Sequence, residues 1–413
     1  MPNSWEYVVA YLAVLHAGHI ALPLDVIYKP LELGAILSQM KPVLVIADES
    51  NRLRLDTQIP VLTLSDLESG SRREKPHLRL PADEQIATVF FTSGTTGRPK
   101  AAPYTHANHI WNIEVCSKVW AWDEHDSLLI SLRLSHWYGS VMGLSGALYH
   151  GNTLYLQDRF DAEGTLAALS AGNISMFTHA PLAYSKLLQA ENGDKYDLSK
   201  VRLFISGSGP LPPKVWQEFK DRYGAEILEV YGSSETGRIA SNLLNERIPG
   251  STGRILPGVE AKIGAKNELL VKSPGVFPGY YKNPQLTDKL KTSDGFWRTG
   301  DIAELNGGRL TLKGRMAEII RKQGYTVSPR DVEWALHTNP AIAEVAVLGL
   351  SRPDEPDDEL VYFLVTAASE DDIRDFCRQA LPSVWRPDRI IMVETIPRTR
   401  SGKINIPELR AML

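Results

Sequence analysis

The chain has 413 residues, 43% hydrophobic and 23% charged, an ordinary globular mix that excludes disordered and fibrous classes and leaves room for two or three domains. Its 45 Lys and Arg against 49 Asp and Glu give a net charge of −4, so there is no global basic field for a nucleic-acid backbone and no polybasic membrane patch. Two cysteines, Cys116 and Cys377, make no disulfide or metal pattern and point to a reducing cytoplasm, and the apolar stretch 5–24 is broken by Glu6, His16 and His19, which excludes a signal peptide or a membrane insertion.

From the start of the chain, Asn3-Ser4-Trp5-Glu6 reads as a capping box. A helix follows over 7–17 with Val8, Tyr11, Leu12 and Leu15 on its apolar stripe and Gly18 as its cap. A buried strand over 20–24, a helix over 33–39 and strands over 42–47 and 61–64 come next. Strands alternating with helices predict an α/β parallel sheet. The opening helix would then be a crossover with no strand ahead of it. That predicts an N-terminal domain without its start, exposing the edge of the neighbouring strand. Further strands are expected over 86–92, 128–132, 153–156, 203–206 and 226–229. Residues 251–312 turn Gly- and Pro-rich, with short alternating runs at 260–263, 268–272 and 308–312, the texture of a small β-rich subdomain. After Gly314-Arg315 a separate C-terminal domain is expected, with strands over 343–350 and 360–366 and a charged helix over 369–381.

Five motifs carry the chemistry. Phe90-Phe-Thr-Ser-Gly-Thr-Thr-Gly-Arg-Pro-Lys100 runs a strand into a loop whose glycines turn backbone N–H groups toward phosphates and whose lysine adds a cation. It is not the Walker loop: Gly94 and Gly97 are three apart, and Ala101 follows Lys100. In Glu229-Val-Tyr-Gly-Ser-Ser-Glu-Thr-Gly237, a carboxylate among hydroxyls and glycines suits a magnesium bridging nucleotide phosphates. Gly295-Phe-Trp-Arg-Thr-Gly-Asp301 ends on an Asp able to accept the hydroxyls of a ribose. Lys313-Gly-Arg315 and Arg398-Thr-Arg-Ser-Gly-Lys403 complete the set.

Five motifs in this order and spacing resemble the adenylate-forming superfamily, in its acyl-CoA synthetase branch, over essentially the whole chain. The resemblance implies a large N-terminal domain (1–315) of parallel α/β lobes and a β-barrel lobe, with a small mobile α+β C-terminal domain (316–413). It implies that Thr92, Ser93, Gly94, Thr95, Thr96, Gly97 and Lys100 cover the β- and γ-phosphates of ATP. Ser208, Gly209, Pro210, Glu229, Val230 and Tyr231 would line the adenine slot. Gly232 and Ser233 would belong to the ATP/AMP site, Ser234 would touch the α-phosphate, Glu235 would hold Mg2+, and Asp301 and Arg315 would bind the ribose. Lys403 matches the catalytic lysine. A cation preplaced where a carboxylate attacks the α-phosphate stabilises the developing charge by a factor of about 10²–10³. Ala317 stands where relatives place an Asp or Lys at the domain hinge, so polar anchoring is lost there.

Leu132-Arg-Leu-Ser-His-Trp-Tyr-Gly139 contains no acid to pair with an ammonium, so a non-amino acid, fatty or aryl, is expected. His136 would order the acyl pocket and Trp137 and Tyr138 would wall it. Gly139, Gly207, Gly209 and Gly232 would leave room for a bulky or extended tail. Arg321, Lys322, Gly324 and Tyr325 follow the hinge and would face coenzyme A. The expected partners are ATP, a carboxylic acid and coenzyme A, with the chain a monomer or homodimer. The alternatives are a carrier-protein thiol as acceptor, a luciferase-like oxygenase, and an acyl-adenylate-binding pseudoenzyme.

Overall fold

The computed structural model describes residues 1–55, 57–69, 81–92, 100–351, 355, 357–399 and 402–413. Its spine is an eleven-stranded sheet that changes character part-way across. Thr153–Leu156, Ser127–Ile130, Met176–His179, Leu203–Ser206 and Ile227–Ser233 lie parallel in that spatial order. Gly237–Ser241, Gly253–Ile255, Arg309–Arg315, Trp297–Asn306, Glu268–Lys272 and Glu260–Ile263 continue it antiparallel. The expected β-rich lobe is therefore hydrogen-bonded to the main sheet as its continuation.

Period-2 alternation explains the two-sided core of the parallel half. Leu128, Ile130, Met176, Leu203, Ile205, Leu228 and Val230 face one cluster, with Trp120, Trp137 and Tyr138. Leu129, Phe177, Phe204 and Ile227 face the other, under the helices Ala162–Ser170, Pro181–Leu188 and Pro213–Tyr223. On the first face a wide, π-type helix, Tyr138–Ser145, runs into the α-helix Gly146–His150. Its glycines seat it: a Cβ on Gly143 would lie 2.9 Å from the Ile130 side chain, and one on Gly146 would lie 2.2 Å from Trp122.

The first lobe differs from expectation in pairing. Ile86–Thr92 forms where predicted, but in an antiparallel hairpin with Lys100–Thr105, outside the parallel sheet. Residues 20–24 contribute only a bridge between Ala21 and Thr88. The opening helix spans Trp5–His16, capped by the Ser4 hydroxyl accepting from the Tyr7 N–H. Asn3 is no cap. Its amide donates to the Leu132 and Gln157 carbonyls and accepts from the Leu134 N–H, tying the helix to the sheet. Its buried residues are Tyr7, Ala10 and Tyr11, whereas Val9 and Leu12 of the outer side are exposed.

The cores divide between Leu312 and Ile320. The C-terminal part packs Ile342–Ser351, Asp358–Thr366 and Arg389–Met392 against helices Pro329–Leu336 and Glu370–Ala380. Helix Glu370–Ala380 is opened by a reciprocal Ser369/Asp372 capping box. Among the described residues no helix is long and apolar enough to cross a membrane.

Candidate active site

Open parallel sheets place ligands outside the carboxyl ends of their strands. The candidate residues gather there. Ser208, Gly209 and Pro210 follow Leu203–Ser206, and Ser208 takes a left-handed φ of 69°. Glu229, Val230, Tyr231, Gly232 and Ser233 belong to the adjacent strand Ile227–Ser233. A turn through Ser234 and Glu235 then leads back along Gly237–Ser241. Ser233 stabilises this turn, its hydroxyl accepting from the Glu235 and Thr236 N–H groups. Across the cleft, Asp301 is buried, accepting from the Tyr231 hydroxyl at 2.6 Å and pairing with Arg315 Nε at 2.8 Å. Burial raises its pKa despite Arg315 and the Tyr231 bond.

Glu235 accepts from the Tyr280 hydroxyl at 2.9 Å, and Lys100 Nζ lies 5.5 Å from the centre of the Tyr280 ring. Tyr280, which the sequence reading did not single out, thus joins the first and second motifs. Thr92 and Lys100 pair with each other where the first strand of their hairpin ends and the second begins. The loop residues Ser93, Gly94, Thr95, Thr96 and Gly97 lie outside the described residues.

Lys403 is brought in by a turn of the C-terminal domain. Arg398 bridges Ile404, and the Thr399 N–H donates to the Lys403 carbonyl at 2.6 Å. Gly402 faces the N-terminal domain, where its missing Cβ would lie 3.9 Å from Ala180. Desolvation by the surrounding protein and then the Arg315 charge lower the Lys403 pKa, while Asp301, Glu235 and Glu318 oppose the shift. Lys403 itself is nonetheless exposed to water.

Several expected roles take a different form. Glu229 is buried beneath the 208–211 loop, one carboxylate oxygen accepting from the Leu211 N–H and the other without a partner. Burial, partly offset by Arg330, pushes its pKa up to about 7. His136 is paired through Nε2 with Asp25 of the first lobe at 3.1 Å. Burial raises the Asp25 pKa, but the bonds from His136 and the Ile27 N–H outweigh it and leave the net shift downward. Lys322 donates to Asp388 at 2.6 Å and to the Arg386 carbonyl, so its ammonium is committed within the C-terminal domain. Arg321, Gly324 and Tyr325 belong to the small hairpin of Ile320–Lys322 and Tyr325–Val327, Gly324 with a φ of 78°. Arg321 and Tyr325 are exposed.

Three of the four glycines expected to leave acyl space instead abut close neighbours, whereas a Cβ on Gly209 would lie 3.8 Å from Pro181. A Cβ on Gly139 would lie 2.3 Å from the Arg133 carbonyl, and one on Gly232 would lie 2.0 Å from the Gly237 carbonyl. Both answer close backbone contacts. Gly207 makes room for Tyr138, whose ring would sit 2.8 Å from its Cβ. Tyr138 bonds Thr178 at 2.5 Å, and the cavity behind it, with Leu128, Met176 and Ile205, is only about 10 Å³. Arg238, also not singled out from the sequence, is buried with its guanidinium 4.2 Å from the Tyr138 ring centre and 5.0 Å from that of Trp137.

Strand-end loops over a parallel sheet, a carboxylate and a lysine meeting at Tyr280, and a second-domain lysine across the cleft are the arrangement of an adenylate-forming enzyme. The chain belongs to the AMP-binding enzyme family: the family model matches residues 1–281, and that of its C-terminal domain matches residues 331–403. It is 32% identical to a mitochondrial malonate–CoA ligase of Mus musculus over 100% of this chain and 80% of that protein. Its fold is similar to ATP-bound MatB from Rhodopseudomonas palustris, with a TM-score of 0.93 and 27% identity over 100% of this chain and 87% of the other. Apo MatB superposes at 0.79, with 26% identity and the same coverage.

Proposed function

We propose that this chain joins a short carboxylic acid to coenzyme A in two steps, and that the acid is a dicarboxylate of malonate size. The observation that carries the first step is the Lys403 turn docked over the cleft, among Asp301, Arg315 and Glu235. The acid's carboxylate attacks the α-phosphorus of ATP, forming an acyl-adenylate and releasing pyrophosphate. Lys403 would bridge the attacking carboxylate and the α-phosphate, where charge develops. Lys100, Thr92 and the 93–97 loop would hold the leaving pyrophosphate, and Asp301 would accept the ribose hydroxyls. In the second step the coenzyme A thiolate attacks the acyl carbonyl and AMP leaves.

Glu235 fits a magnesium carried in by the nucleotide. No cluster of three or more His, Cys, Asp or Glu suited to a metal occurs among the described residues, and one carboxylate plus phosphate oxygens is the usual Mg2+ arrangement. The ion would neutralise charge on the departing pyrophosphate.

The size of the acid is argued from the space closed by Tyr138 and from the malonate–CoA ligases among the relatives. The two free, buried cysteines fit a reducing compartment such as the cytoplasm. Pyrophosphate release over a panel of acids, with and without coenzyme A, tests the reading. Release with malonate and formation of malonyl-CoA are expected. Faster turnover with long-chain or aryl acids would overturn the size assignment, and transfer only to a carrier-protein thiol would overturn the acceptor.

A further inference from the structure

Arg238 is 2% exposed, yet its Nε and Nη2 have no hydrogen-bond partner, and no ion pair to it occurs among the described residues. The indole Nε1 of Trp137, one of the two rings it stacks on, is likewise buried without an acceptor. Aromatic faces attract a cation but leave its in-plane N–H groups unsatisfied. A buried cation in that state is costly unless an anion arrives to pair with it.

Its position says where that anion would come from. Arg238 lies directly across the hairpin from Gly232 and three residues beyond Glu235. A bulge between Arg238 and Ala240 interrupts the register there, and bulges beside active sites commonly re-aim a side chain. Its aromatic bed is Trp137 and Tyr138, the two residues that the sequence motif leads one to expect along the acid. We infer that Arg238 pairs with the second carboxylate of the acid substrate and so sets the preference for dicarboxylates over monocarboxylates. The assignment rests on the proposed adenylating activity and specifies what that site reads. The guanidinium is suited to it, since its planar fork matches a carboxylate.

Malonate and propanoate differ chiefly in replacing the distal carboxylate by a methyl group, so they isolate this contact. In Arg238→Met, kcat/KM for malonate in pyrophosphate release should fall by about 100-fold or more, the usual consequence of removing one partner of a buried charge pair. Turnover of propanoate should stay the same or rise. Arg238→Lys, with the charge but not the fork, should fall between. Without ligand, Arg238→Met should unfold at the same temperature as the parent or higher, because a buried charge without a counter-ion has been removed. Malonate should raise the thermal midpoint of the parent and not of Arg238→Met. Equal loss of both acids together with a lower midpoint would make Arg238 a structural cation and overturn the inference, as would an unchanged malonate-to-propanoate ratio. If the parent releases no pyrophosphate with any acid, the proposed activity fails. The malonate-induced thermal shift still decides whether Arg238 binds the dicarboxylate.

Discussion

Glu229 shows how one buried side chain makes stability depend on pH. Its pKa is raised from 4.5 to about 7 by burial, so the folded state holds a proton that the unfolded state has released over that interval. The contribution is fully present below about pH 4.5 and is lost as pH rises to about 7. Glu229→Gln keeps an acceptor for the Leu211 N–H and cannot ionise. The variant should gain thermal stability relative to the parent as pH rises from 5 to 8, and a difference constant with pH would show that the carboxyl does not titrate there. Glu235 is a different case, half-buried and bonded to the Tyr280 hydroxyl. Glu235→Gln should raise the magnesium concentration needed for pyrophosphate release while moving the thermal midpoint little. A thermal loss as large as the activity loss would mark it as a structural carboxylate.

At the scale of elements, two glycines make a controlled comparison. Gly34 lies inside the helix Pro30–Met40, and a Cβ there would meet nothing within 4 Å. Gly34→Ala should therefore stabilise by about 0.5–1 kcal/mol, through the lower conformational freedom of alanine in the unfolded chain. Gly146 starts the helix Gly146–His150 with its Cα pressed on Trp122. Gly146→Ala should cost about 1–3 kcal/mol, because a packed core cannot make way for the extra methyl without strain. Denaturant midpoints of both variants check the pair, and a change of the same sign in both would defeat the packing argument. Strand positions were legible at this scale: Ile86–Thr92, Thr153–Leu156, Leu203–Ser206, Glu260–Ile263 and Glu268–Lys272 form over the residues their local pattern predicts. Their partners were not, since Ile86–Thr92 pairs with Lys100–Thr105.

The whole molecule is two bodies meeting at the cleft. Trp334 of the C-terminal domain lies against Gly250, and Arg330 donates to the Leu312 carbonyl at 2.9 Å. The higher TM-score to ATP-bound MatB than to its apo form agrees with Lys403 lying over the site. Ala317 is exposed in the turn that follows Arg309–Arg315. If Lys403 serves only this arrangement, Lys403→Ala should slow pyrophosphate release by about 10²–10³. Thioester formation from supplied acyl-adenylate and coenzyme A should survive. Equal losses in both half-reactions would count against two working orientations of the C-terminal domain.

The motifs of this protein are local, and so they are readable in order along the chain. A strand end, glycines, hydroxyls and one charged residue form a segment that can be read without its partners, and the order and spacing of the five motifs identify the family. Tertiary structure decided what each side chain meets. It paired His136 with Asp25, placed Tyr280 between Lys100 and Glu235, and committed Lys322 to Asp388. It also made Gly139 and Gly232 sites of backbone contact and left Arg238 buried against Trp137 and Tyr138. Composition and periodicity report which residues are buried. The partner of a buried polar group comes from distant segments, 111 residues away for His136 and Asp25, and only the folded chain brings them together.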